Sequence, residues 1–467
     1  MVGALLAAGF EIISDARQAD LVIINTCAFI GDAQQESVDT ILETAAYRKK
    51  HRPQQALLVA GCLPQRFRAE LPHLIPEVDA VIGVDQVPHI AKLVQQTLSR
   101  HLRRQTNPAP WVEVTSRPVY MPDHATPRFR LTPKASAYLK IAEGCNHPCS
   151  FCLIPRLRGR YRSRPLEDLL AEARQLIAAG VRELNLISQD TTYYGMDRQR
   201  TAPELTGLPR LLGELNALRG NFWIRLLYTH PAHWTEALIA ALVECRKVVR
   251  YVDLPLQHVH PTVLQRMRRE TTANQLTDLV QRLRNALPGV TLRTTFIVGF
   301  PGETEAHFDT LLAFVRQTRF ERLGVFLYSP EDGTRAVHLA GAVPESVKIQ
   351  RRDRLMAEQQ SISRQIAASH VGQTLKMLVE HPLSAREWRA VETRPWESGG
   401  RPCPRGCASC RNGSGMVGRG TADAPDVDGR IYVRGRLAAG EFTRVRIVGH
   451  TAYDLMAEPI KPMDCPP

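Results

Sequence analysis

No apolar run in the 467-residue sequence reaches the ~18 residues of a membrane span, which argues against a helical membrane protein. A basic leader is also missing. Residues 1–10 are apolar but lead straight into acidic and polar positions, so the start does not read as a signal peptide, and the expected compartment is the cytoplasm. A chain of this length has no need of disulfide staples, so its ten cysteines suggest metal or redox chemistry. Acidic residues are the scarcer charge: 47 Asp and Glu stand against 60 Lys and Arg, for a net charge of +13. The excess is spread along the chain. A field of that sign favours nucleic acid or a ribonucleoprotein surface, although an arginine-rich composition that only confers solubility explains it equally well. With 44% hydrophobic and 23% charged residues, what remains is a globular chain of two or three domains.

The hydropathy pattern separates three regions. Up to about residue 105, apolar runs at 21–25, 56–60 and 80–83 alternate with helical spacing at 32–50 and 86–102. Continuous apolar runs suit buried parallel strands, so an open α/β domain is expected, doubly wound in its simplest topology. Residues 104–135 carry six prolines and no sustained periodicity and read as a linker. The second region, 131–370, repeats strand then helix six times, with strands expected at 137–142, 183–188, 223–227, 249–254, 292–298 and 323–328. Six parallel βα units imply a partial, TIM-like (βα)6 barrel with its chemistry at the carboxyl ends of the strands. The third, 372–460, shows short β patterns at 374–380, 429–434, 441–448 and 452–458, expected to form a small β-barrel. A cysteine-containing insert of low regularity, about 381–418, interrupts it.

The strongest chemical signal is Cys145, Cys149 and Cys152, spaced C-x3-C-x2-C just after the first barrel strand. Three thiolates hold three corners of a four-iron cluster and leave the fourth iron open to a chelating small molecule. A closed zinc site normally takes four ligands, and only His147 is at hand within the motif. Cys27 and Cys62 each follow an apolar strand and would emerge at the same sheet edge, as metal ligands or as two small buried residues. Cys403, Cys407 and Cys410 repeat the C-x3-C-x2-C spacing without a preceding strand; a zinc knuckle completed by a residue such as His381, a third cluster and an inert loop all fit. Cys245 lies in an apolar helical pattern as core, and Cys465 in a terminal tail.

The chain resembles the radical S-adenosylmethionine methylthiotransferases along nearly its whole length. The resemblance rests on Asn25-Thr26-Cys27, Gln35-Glu36-Ser37, Gly61-Cys62-Leu63 and the Cys145–Cys152 motif. It continues through Ser188-Gln189-Asp190-Thr191-Thr192, Leu256-Gln257-His258, Gly299-Phe300-Pro301-Gly302-Glu303 and the run at 328–334. Residues 422–429 resemble the family's TRAM domain. The resemblance implies two 4Fe-4S clusters and S-adenosylmethionine. One cluster would sit on Cys145, Cys149 and Cys152, and an auxiliary one on Cys27, Cys62 and a third ligand absent from this chain. The family's first strand and first cysteine have no counterpart here, so an upstream start is expected, with Met1 an internal methionine. Gln189, Asp190, Gln257, Gly299 and Glu303 follow barrel strands and are expected to line the cofactor site, the glycine permitting close backbone approach.

Within the family, the runs at 188–195 and 422–429 resemble the type that methylthiolates an aspartate β-carbon in a small-subunit ribosomal protein, with RNA contact through the TRAM domain and no membrane. An acidic turn of Asp423, Asp426 and Asp428 would repel phosphate and suit a basic protein loop. The alternatives are methylthiolation of transfer-RNA adenosine and a non-catalytic ribosome- or RNA-binding relative.

Overall fold

The computed structural model describes residues 1–103, 109–131, 133–198, 207–397 and 415–460. Contacts divide the chain into two units. One comprises Met1–Phe129, Glu143–Arg164 and Ser329–His338; the other comprises Arg130–Ala142, Pro165–Tyr328 and Leu339–Pro467.

The first unit is built on a four-stranded parallel sheet, in the order β1 (Leu21–Thr26), β2 (Ala56–Gly61), β3 (Ala80–Ile82) and β4 (Trp111–Glu113). Strand β2 shows why its sequence is apolar without alternation. Leu57 and Val59 face Ile41 and Ala45 of helix Gly31–His51. Leu58 and Ala60 face Leu5, Ile90 and Leu93 from helices on the opposite side. Both faces are therefore covered, as a buried parallel sheet requires. The strand order runs in chain sequence without the reversal of a doubly wound fold, which corrects that expectation. A second correction is β4. It lies in the proline-rich span read as linker, yet Trp111 pairs with Ala80 and Glu113 with Ile82.

The second unit carries six parallel strands: β5 (Ser136–Lys140), β6 (Glu183–Ile187), β7 (Trp223–Leu226), β8 (Val248–Asp253), β9 (Thr291–Val298) and β10 (Arg322–Leu327). They follow one another in that order across an open sheet, the expected partial barrel. Helices such as Leu166–Ala178, Ala273–Ala286 and Glu305–Thr318 connect them.

A closed five-stranded barrel follows, of β11 (Thr374–Leu383), β12 (Gly415–Arg419), β13 (Ile431–Arg434), β14 (Phe442–His450) and β15 (Leu455–Pro459). Part of the stretch expected to be irregular is ordered: β11 runs to Leu383, Ala385–Glu392 is helical, and β12 is a strand. The helix begins with a capping box between Ser384 and Glu387 and buries Trp388 against Val417 and Tyr432. Cys403, Cys407, Cys410 and Cys465 lie outside the described residues. No helix among the described residues is long and apolar enough to cross a membrane.

The acidic turn of the third region does not present an acidic face. Asp423 accepts from Arg322 at 2.5 Å, and Asp428 accepts from the Tyr251 hydroxyl at 2.6 Å and from the Ala424 amide at 2.8 Å. All three carboxylates tie the turn to the six-stranded sheet, Asp426 by accepting from the Tyr138 hydroxyl at 3.4 Å, and only Asp426 is exposed.

Candidate functional site

Strands β1 and β2 place Thr26 opposite Gly61, so the next residues, Cys27 and Cys62, leave the sheet side by side at its carboxyl edge. The neighbouring motif residues hold them there. The Thr26 hydroxyl donates to the Ala60 carbonyl at 2.7 Å and accepts from the Leu63 amide at 3.2 Å, which fixes the turn bearing Cys62. Ser37 on helix Gly31–His51 accepts from the Cys27 amide at 3.2 Å. Gly61 has φ of +107°, and a Cβ there would lie 2.6 Å from the Thr26 carbonyl oxygen. Cys27 is exposed and Cys62 half-buried, both as free thiols.

The Cys145–Cys152 loop folds back on the segment that follows it. The Cys145 amide donates to the Gly159 carbonyl at 3.2 Å, and the Tyr161 amide donates to the Asn146 side chain at 3.1 Å. Two amides point at sulfur: His147 N–H at 3.5 Å from Cys145 Sγ, and Ile154 N–H at 3.4 Å from Cys152 Sγ. Donors aimed at sulfur favour the thiolate, the form that binds metal. Three cysteines on one amide-lined loop, none of them in a disulfide, fit an iron–sulfur cluster.

The two cysteine sets belong to one unit, and Arg158 links them. Its Nη2 lies 3.3 Å from Cys62 Sγ, and its Nη1 lies 3.7 Å from the buried carboxylate of Glu143. Burial opposes the guanidinium charge, but Cys62, Glu143 and Cys27 outweigh it and hold the group firmly protonated. The 329–338 segment also belongs here. Glu331 accepts from Arg66 at 2.7 Å and Gln34 at 2.8 Å, Arg66 also donates to Ala28, and the Ala336 amide donates to Ser150 within the cysteine loop. Arg158 and Arg66 were not singled out from the sequence, and Glu331 entered only as part of the run at 328–334. Arg158 and Cys62 are 96 positions apart, and no local pattern joins them.

In the second unit, Gln189 and Asp190 follow β6. Gln189 is half-buried, whereas the buried Asp190 carboxylate accepts from the Thr192 hydroxyl and from the His233 ring at 2.8 Å. Gln257 follows β8 in a left-handed conformation (φ 72°), pinned by backbone hydrogen bonds to Thr295 and Ile297. Gly299 and Glu303 turn inward after β9. A Cβ on Gly299 would meet Lys348 Cγ at 2.2 Å, so the lysine already fills that space. One oxygen of Glu303 accepts the amides of Gly299 and Phe300, and the other lies 4.0 Å from His258 Nε2. Burial pushes the Glu303 carboxyl up to about 7, although Arg351 and the two amides favour its charge. Burial, with His260, His307 and Arg351, pulls His258 down to about 3.

Residues 139–315 match the Radical SAM superfamily, residues 1–83 the uncharacterized protein family UPF0004, and residues 409–460 a TRAM domain. Fold and thiol loop thus define a radical S-adenosylmethionine enzyme. Relatives over the full length narrow the class. The ribosomal protein uS12 methylthiotransferase RimO of Opitutus terrae is 48% identical, covering 98% of this chain and 93% of its own length. The RimO proteins of Akkermansia muciniphila and Pelotomaculum thermopropionicum are 41% and 42% identical, each covering 98% of this chain and 95% of its own length. The chain belongs to the RimO family of methylthiotransferases. It is an enzyme whose cofactors are S-adenosylmethionine and 4Fe-4S clusters.

Proposed function

We propose that this chain methylthiolates the β-carbon of an aspartate in the small-subunit ribosomal protein uS12, in the cytoplasm, with RNA contact through its closed β-barrel. The observation that carries the reading is full-length identity of up to 48% to RimO proteins in a chain whose thiol loop suits a cluster. The proposed domains are 1–105 with the auxiliary site, 131–370 with the radical chemistry, and 372–460 as the TRAM barrel.

Cys145, Cys149 and Cys152 would hold one four-iron cluster, and Cys27 and Cys62 would serve a second. Reduced and bound with S-adenosylmethionine, the first supplies the electron and organic radical that an unactivated carbon demands. The polypeptide orients and charges its ligands. Amides of His147 and Ile154 stabilise the thiolates, Thr26 and Ser37 fix the auxiliary pair, and Arg158 neutralises charge beside Cys62. Gln189, Asp190 and Gln257 are the proposed contacts for S-adenosylmethionine. Gly299 and Glu303 would act indirectly, by holding the turn after β9 in shape.

The test offers anaerobically reconstituted protein a uS12 peptide and transfer RNA side by side, with products read by mass spectrometry. Methylthiolated aspartate in the peptide is expected. Methylthiolated adenosine without modified aspartate contradicts the reading.

A further inference from the structure

We infer that Arg158 is a positioning residue that joins the two cysteine sets and sets the reduction potential of the auxiliary cluster. The inference rests on the proposed assignment of Cys27 and Cys62 as ligands of that cluster.

Arg158 is the C-cap of the short helix Ile154–Leu157, whose N-cap, Leu153, directly follows Cys152. Its backbone is pinned at both sides. The amide donates to the Ile154 carbonyl at 2.8 Å, and the carbonyl accepts from the Arg162 guanidinium at 3.3 Å. The next residue, Gly159, accepts the Cys145 amide. The base of the arginine is therefore fixed to the backbone of one cysteine set, and its tip donates to Cys62 Sγ of the other at 3.3 Å. A half-buried guanidinium on one arm spans two sites that the chain separates by many residues.

An iron–sulfur cluster's potential follows its net charge and the hydrogen bonds made to its sulfurs. A cationic N–H donor on a ligand sulfur stabilises the added electron more than the oxidised state, so it raises the potential. Glu143 beside the guanidinium offsets part of that charge, and removing the arginine takes away the cation paired with this buried carboxylate. Deletion of the positive charge should lower the auxiliary potential. A residue that only packed would leave the potential unchanged when replaced by an apolar chain of similar length.

The test uses the full chain with Cys145, Cys149 and Cys152 changed to Ala, so that only the auxiliary cluster contributes signal. Arg158→Met and Arg158→Lys are made in that background, reconstituted with iron and sulfide, and titrated by electron paramagnetic resonance, with iron loss to a chelator timed in parallel. The midpoint should fall in Arg158→Met and return partway in Arg158→Lys, and the Met form should release iron faster. Equal midpoints in all three forms overturn the role of Arg158 while leaving the auxiliary cluster standing. A parent background that takes up no iron overturns the ligand assignment itself, and this inference with it.

Discussion

Arg419 of the closed barrel donates through Nη2 to Oε2 of Glu183, the first residue of β6, at 2.5 Å. Arg225 on β7 reaches the other carboxylate oxygen at 3.0 Å, and all three side chains are buried. Burial alone would raise the acid, but Arg225 and Arg419 outweigh it and hold the carboxyl at about 2. Glu183→Gln leaves Arg225 without its carboxylate in the interior and Arg419 with Glu380 alone, and a loss of about 3–5 kcal/mol in thermal or denaturant unfolding is expected. Because the folded carboxyl sits below its ordinary 4.5, its contribution is complete above that pH and disappears as pH falls towards 2. The variant's unfolding should lack that part of the acid dependence.

Thr26 offers a milder perturbation. Thr26→Val keeps the shape but removes the hydroxyl that serves the Ala60 carbonyl and the Leu63 amide. Stability should fall by about 1–3 kcal/mol. Iron held by the cysteines at this sheet edge should be lost sooner to a chelator, whereas cleavage of S-adenosylmethionine at the other loop should persist.

What could be read from the sequence follows physical range. Strands β5 to β10 were legible because short runs rich in β-branched, leucine and aromatic residues recur six times, each ahead of a stretch of helical periodicity. The thiol loop was legible because three cysteines lie within eight residues. Strand β4 was not, since three residues among prolines carry no period, and its identity comes from pairing with β3. Strand β12 was hidden by its two glycines, which make room on opposite faces: a Cβ on Gly415 would run into the Trp388 ring, and one on Gly418 would lie 2.1 Å from the Leu378 carbonyl. The inward roles of Asp423 and Asp428 depend on Arg322 and Tyr251, more than 100 positions away, and composition alone had turned them outward.

Gly299 tests the turn after β9. Gly299→Ala adds a methyl 2.2 Å from Lys348 Cγ at a φ of +74°, so the expected cost is about 1–3 kcal/mol from the backbone alone, plus the clash. Adding Lys348→Ala should recover the steric part. A double-mutant cycle in unfolding experiments separates the two, and additive losses would show that the lysine does not occupy the glycine's space.

The Glu303–His258 pair predicts an opposite pH response to that of Glu183. With its folded carboxyl raised from 4.5 to about 7, Glu303 favours the native state at low pH, and that contribution is lost as pH rises through this interval. His258, lowered from 6.5 to about 3, works the other way: its contribution is present above 6.5 and lost as pH falls. Glu303→Gln removes only the first. Its melting temperature relative to the parent should therefore climb between pH 4.5 and about 7, and a flat difference would contradict the buried-acid assignment.

Metal analysis of the anaerobically reconstituted full chain, beside a form with Cys145, Cys149 and Cys152 changed to Ala, bears most directly on the account. About two four-iron clusters are expected in the parent, with about half the iron and all reductive cleavage of S-adenosylmethionine lost in the variant. Zinc bound by these three thiols, or iron unchanged when they are removed, would contradict it.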